Sequence, residues 1–189
     1  MKLKLIPVLA FASGLSLAIA ACSNNNDATD ADAVATDTAT PVAAETTAAA
    51  SHASQFLTDA IQTNNAEIKF GQAAQSMGST QAVRDFGKML VDDHTKANAD
   101  AAQIAKAMNV AVPSGVKPED MQAYNMATSM SGADFDKDFA AAMVKGHQKA
   151  VEMFQMEADS GDPAQVTDFA KQTLPTLQKH LETAQALEK

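Results

Sequence analysis

From Ser54 onward, apolar residues recur at intervals of three and four, the period of one buried helical face. No run alternates with period two, and no Asn-Gly or Asp-Gly pair marks a tight hairpin. The pattern therefore predicts an all-α domain. Its punctuation divides that domain. A first helix is expected over 54–77, with Ser54 as its cap and Gly78 as its stop; a second starts at the Ser79-Thr80 cap and reaches Met108. Pro113 and Gly115 then break the period, and Pro118 opens a short helix over 119–130 whose first turn is acidic. A third long helix is expected over 134–159. The Ser160-Gly161-Asp162-Pro163 turn leads into a fourth, capped by Asp162 and ending near Leu187. Pro175 should kink that last helix, because it has no N–H for the carbonyl of Lys171.

Helices of about 35 to 45 Å, at 1.5 Å per residue, make a four-helix bundle. The linker between the second and third long helices is far longer than an ordinary bundle turn and carries its own short helix. It can cross the bundle. The expected architecture is ferritin-like, with two antiparallel hairpins joined by a long crossover.

The polar residues that interrupt these apolar seams are the candidates for chemistry. His94 lies among Val83, Phe86, Leu90, Ala101 and Ile104; His147 among Phe139, Met143, Ala150 and Phe154; His180 among Val166, Ala170, Leu177 and Ala184. Glu67 occupies the buried stripe of the first helix, between Phe56, Ala60 and Phe70. A buried carboxylate must be paired, protonated or bound to something. Counting rise along antiparallel helices puts Glu67 at about 20 Å, His94 at about 21 Å, His147 at about 18 Å and His180 at about 25 Å from one end. An up-down-up-down bundle drops His180 to about 10 Å, so the crossover topology and the clustering support each other. Glu67, His94, His147 and His180 thus form a candidate ligand set for a transition metal, with zinc, iron and copper all compatible. Asp93 flanks the same seam as an extra ligand or an orienting partner of an imidazole. The alternative is a set of core histidines, each hydrogen-bonded to a neighbour, in a structural or protein-interaction module. The methionines of the crossover and third helix read as ordinary core filler rather than copper ligands.

Composition narrows the partners. The 189 residues carry 23 acidic and 14 basic side chains, for a net charge of −9. With no basic stripe, this opposes nucleic-acid binding. One cysteine excludes a disulfide framework and any Cys-rich zinc module. No Gly-rich phosphate loop, Gly-x-Ser-x-Gly elbow or His-Glu-x-x-His motif is present, and no catalytic role is assigned.

Residues 1–21 have the layout of a secretion signal, with Lys2 and Lys4 ahead of an apolar run ending in small residues. Ile19-Ala20-Ala21-Cys22 resembles the lipobox of bacterial lipoproteins, which implies a lipid on Cys22 and attachment to a membrane. By that resemblance, Ser23 favours the outer membrane, on the periplasmic side. Residues 22–53 are Ala-, Thr- and Asp-rich with no basic side chain and are expected to form a disordered tether, His52 included. Residues 54–189 make the folded domain.

Three segments carry a family resemblance: Val83-Arg84-Asp85-Phe86 continuing to Asp92-Asp93-His94; Phe135-Asp136-Lys137-Asp138-Phe139 with Gly146-His147; and Leu174-Pro175 through His180-Leu181. They resemble a bacterial envelope family known as domain of unknown function 4142. That resemblance implies a ferritin-like bundle with polar positions at Glu67, His94, His147 and His180, and implies no established activity. The chain departs from di-iron members of the ferritin-like class. Val91 and Leu177 stand three residues before His94 and His180, where those proteins place a glutamate. A mononuclear, histidine-rich centre is the better expectation, in an envelope protein that sequesters metal or serves in stress.

Overall fold

The computed structural model describes the backbone from Val42 and the side chains from Ala48, in each case to Lys189. The expected signal segment, the expected lipidation at Cys22 and the expected tether up to residue 41 lie outside the described residues. Five helices follow in order: α1 (Val42–Met77), α2 (Gln81–Ala107), α3 (Pro118–Thr128), α4 (Gly132–Ala158) and α5 (Ala164–Leu187). There is no strand among the described residues, and no described helix is long and apolar enough to cross a membrane.

Aromatic contacts give the direction of each helix. Phe56, early in α1, meets Phe154 near the end of α4 with ring centroids 5.0 Å apart. Phe70, late in α1, meets Phe139 near the start of α4 at 6.5 Å, so α1 and α4 are antiparallel. Ala101 and Ala105 of late α2 share a cluster with Val166 and Ala170 of early α5, which makes α2 and α5 antiparallel too. Each hairpin, α1/α2 and α4/α5, is itself antiparallel. The consequence is an up-down-down-up bundle, and only the crossover through α3 makes that order possible. The all-helical bundle expected from the spacing is the observed one.

The α1/α2 hairpin closes tightly around two glycines. A Cβ on Gly71 would lie 2.6 Å from the carbonyl oxygen of Gly87, and one on Gly87 would lie 2.7 Å from that of Gly71. Neither position has room for a side chain. At the turn, Thr80 caps α2 through the N–H of Val83, and Asp136 of α4 accepts hydrogen bonds from the N–H groups of Ser79 (2.8 Å) and Thr80 (3.1 Å). The crossover is pinned to α1 by Asn65, whose amide donates to the carbonyl of Gly115 (3.0 Å), and by a 2.6 Å ion pair between Lys117 and Asp59.

Two expectations about boundaries are corrected. The helix expected to begin at Ser54 starts at Val42, so residues 42–53 are helical rather than a loose tether. Ala is the best helix former, and packing supplies a nucleus from which the helix extends: Ala53 is fully buried beside Phe56 and Leu57. His52 is accordingly a helical residue. The cap of α5 is Pro163 rather than Asp162, because the Asp162 carboxylate is turned to His52 instead. As expected, the last helix runs on through Pro175 to Leu187.

Apolar side chains gather in two clusters along the bundle. One contains Phe56, Leu57, Phe154, Val166 and Phe169; the other contains Phe70, Phe86, Leu90, Phe135 and Phe139. Their positions along α1, α2, α4 and α5 leave Asn64, Glu67, His94, His147 and His180 between them, all buried.

Candidate metal centre

All four antiparallel helices contribute to the polar layer. His94 comes from α2, His147 from α4 and His180 from α5, and each is 3% exposed or less. Their ring centroids lie 5.2 to 5.8 Å apart. One nitrogen from each ring falls within 4.8 Å of one from each of the others. Phe86 packs on the rings of His147 and His180 and walls the group from the adjoining apolar cluster.

Hydrogen bonds fix how each ring presents itself. His94 Nδ1 lies 2.9 Å from Asn64 Oδ1, His147 Nδ1 lies 2.9 Å from the Met143 carbonyl, and His180 Nε2 lies 2.9 Å from Asp93 Oδ2. Amide oxygens, main-chain carbonyls and carboxylates accept, so each of these ring nitrogens donates. In the neutral imidazoles the other nitrogen then carries a lone pair. In these tautomers His147 Nε2 and His180 Nδ1, 3.3 Å apart, face one another as two lone pairs. His94 Nε2 is buried with no hydrogen-bond partner among the described residues.

Protonation is an unfavourable way to relieve this arrangement. Burial, reinforced by the neighbouring rings, lowers the proton affinity of His94 well below that of a free histidine. Burial and His180 bring His147 down to about 4. His180 is lowered by burial as well, although Asp93 works against the shift. Three neutral imidazoles with inward lone pairs are a ligand set for a borderline or soft cation. Two nitrogens bound tetrahedrally at about 2.0 to 2.1 Å would stand about 3.3 Å apart, the separation of His147 Nε2 and His180 Nδ1.

The carboxylates take different places. Glu67 is 5% exposed, and its Oε1 lies 3.9 Å from His147 Nδ1, the outer nitrogen that already donates to Met143. Glu67 thus stands behind His147, outside the three-histidine group. Burial, with a smaller push from Asp120, drives its carboxyl up to about 8, so it holds a proton at neutral pH. The absence of a side chain at Gly146 admits it: a Cβ there would lie 3.0 Å from Glu67 Oε1. Asp93 stands at the outer nitrogen of His180 with its side chain 44% exposed, where it orients the ring from the solvent side.

A cleft of about 440 Å³ between α2 and α5 reaches His94 and His180 from the surface. Asp93, Asp100 and Asp168 line it against one lysine, Lys96, an acidic mouth that concentrates cations. On the opposite side, a cavity of about 260 Å³ beneath α3 opens onto Glu67 and Asp120.

Asn64 and the Met143 carbonyl escaped the sequence reading. Asn64 was detectable in principle, because it lies three residues before Glu67 and four after Ala60 on the same inward stripe. The Met143 carbonyl was not, since its role depends on the ring of His147 turning back along its own helix.

Fold and site together define a crossover four-helix bundle with a histidine-lined core layer. The family model described as Domain of unknown function (DUF4142) matches residues 38–187, and the chain belongs to that family. No curated protein and no solved structure matches it.

Proposed function

We propose that this chain is an envelope-anchored module that binds one transition-metal ion through His94, His147 and His180 and sequesters it. The observation that carries the reading is the convergence of three buried imidazoles, one nitrogen of each within 4.8 Å of the others, with an oxygen acceptor fixing the other side of each ring. Such outer acceptors are the usual companions of metal-bound histidines, fixing the tautomer and raising ligand basicity. Zinc, iron and copper suit this donor set. Glu67 supplies a neutral acid behind His147 rather than a fourth donor, and Asp93 orients His180. A tetrahedral ion held by three imidazoles keeps one position for water or a small ligand. The acidic cleft supports entry of cations and disfavours anionic substrates, which argues for storage over hydrolysis of an anion. The signal-like residues 1–21 and the lipobox ending at Cys22 support a lipid anchor facing the periplasm, on the outer membrane.

Elemental analysis of the full chain, purified untagged, tests the reading beside a His94→Ala/His147→Ala variant. Near-stoichiometric metal at the core in the parent, seen as one ion per chain lost in a folded variant, is the expected result. Metal should raise the melting temperature at pH 7.5 and much less at pH 5, because imidazole must be deprotonated to ligate. No metal, and no thermal shift with added zinc, copper or ferrous iron, would make the layer a structural device and the protein an interaction module.

A further inference from the structure

A second group of donors joins the two hairpins near the opposite end of the chain's fold from the α1/α2 turn. His52 of α1 meets Glu157 of α4 and Asp162 of the α4–α5 turn, with one donor atom from each within 4.8 Å of the others. His52 Nδ1 lies 2.7 Å from Asp162 Oδ2 and 3.4 Å from Glu157 Oε2. Ser160 shapes the turn that brings them together: its hydroxyl accepts from the Asp162 N–H at 3.2 Å and donates to Glu157 Oε1 at 3.4 Å.

An ordinary ion pair leaves this group unbalanced. One imidazolium can neutralise Asp162, but Glu157 brings a second carboxyl that is 1% exposed; burial and the neighbouring Asp162 push it up to about 7, so near neutral pH a proton competes with a cation for it. Its Oε2 has no hydrogen-bond partner among the described residues and lies within the cluster. Burying such an oxygen is costly unless something binds it. A dication satisfies both carboxylates at once. We propose that His52, Glu157 and Asp162 form a second divalent-cation site, donating one imidazole nitrogen and two carboxylate oxygens, that clamps α1 to the α4–α5 turn.

The donor set differs from that of the core. Two carboxylates and one imidazole suit zinc, manganese or ferrous iron and give no preference for a soft ion such as Cu(I). The His52 side chain is 60% exposed, so water can complete the coordination. This site is read from different residues and does not rest on the core histidines.

Zinc alone is the probe, added to the metal-free full chain by equilibrium dialysis at pH 7.5, with bound ions counted by elemental analysis. The expected count is two in the parent, one in His52→Ala and one in His147→Ala/His180→Ala, with far-UV circular dichroism showing each variant folded. One ion in the parent that survives His52→Ala overturns this site and leaves the core reading standing. One ion lost in His52→Ala but kept in the core variant supports this site and overturns the core reading. No bound ion overturns both. Glu157→Gln and Asp162→Asn must each lose the same ion as His52→Ala; if both retain it, the binding belongs to an exposed histidine and the site is refuted.

Discussion

The core trio and His52 place the same side chain in opposite situations. His94, His147 and His180 are buried beside one another, and their surroundings resist a proton. His52 lies at the surface against Asp162, whose hydrogen bond draws its proton affinity upward despite partial burial. In the core the acceptors are mostly uncharged, an amide and a main-chain carbonyl, and they sit behind the rings so that the lone pairs meet. At the surface the carboxylates stand in front of the ring, where one N–H satisfies Asp162 and a dication would satisfy both. Burial alone therefore does not make a ligand of a histidine; the side from which an oxygen approaches decides whether the ring offers a lone pair or an N–H.

The sharpest break in this comparison is removal of the core rings. His94→Ala/His147→Ala should abolish the thermal stabilisation that metal confers on the layer, a gain of about 2.7 kcal/mol at a free concentration 100 times Kd. His52→Ala should retain that gain, and calorimetry with and without zinc separates the two. A smaller effect is expected from Asp93→Asn, which weakens the orienting bond to His180. Zinc affinity of the core should fall roughly 10- to 100-fold in a competition assay with a chelating dye, with no change at the surface group.

Acidity separates the histidines of the two regions by sign, with Glu67 opposing its core neighbours. The folded-state proton affinities of the trio lie below the unfolded value of about 6.5, so their stabilising contribution is present above that value and is lost as pH falls toward the folded values. Glu67, raised to about 8, works in reverse: its contribution is complete below the unfolded value of about 4.3 and declines as pH rises through 8. His52 also favours the folded state below about 6.5, and its contribution is lost at higher pH. Metal-free protein should thus be most resistant to urea near pH 6.5, with the midpoint falling on both sides. A loss below pH 6 that persists unchanged in the core variant would show that the trio is not its source. The smallest effect is on the metal-free stability of His52→Ala, which should stay within about 1 kcal/mol of the parent, since a largely exposed pair contributes little.

Much of this was legible beforehand because it follows from spacing. Three- and four-residue intervals give the helices, and a constant rise per residue brings His94, His147 and His180 to similar heights once the long linker is allowed to cross the bundle. Glu67 shows where that reasoning stops. Height is set by the rise, but the rotation of α1 about its axis is set by packing, including the close approach at Gly71 and Gly87, and it leaves the carboxyl behind His147. The start of α1 was hidden for another reason. Ala-rich sequence serves equally as a loose tether and as a helix, and contacts made by Ala53 and His52 with distant elements select the helix. The same contacts brought Glu157 and Asp162 to His52, a pairing across more than a hundred residues that no local pattern announces.

The glycine interlock between α1 and α2 has a mechanical consequence. With backbone against backbone at Gly71 and Gly87, that hairpin has little freedom to splay, so the seam most able to open is the one between hairpins. The core histidines straddle this seam, with His94 on one side and His147 and His180 on the other. An ion held by all three is a crosslink that closes the long loop containing α3, and such closure removes freedom chiefly from the unfolded chain. Metal occupancy should therefore slow amide exchange over the crossover, far from any ligand, and tie the two packed hairpins more firmly together.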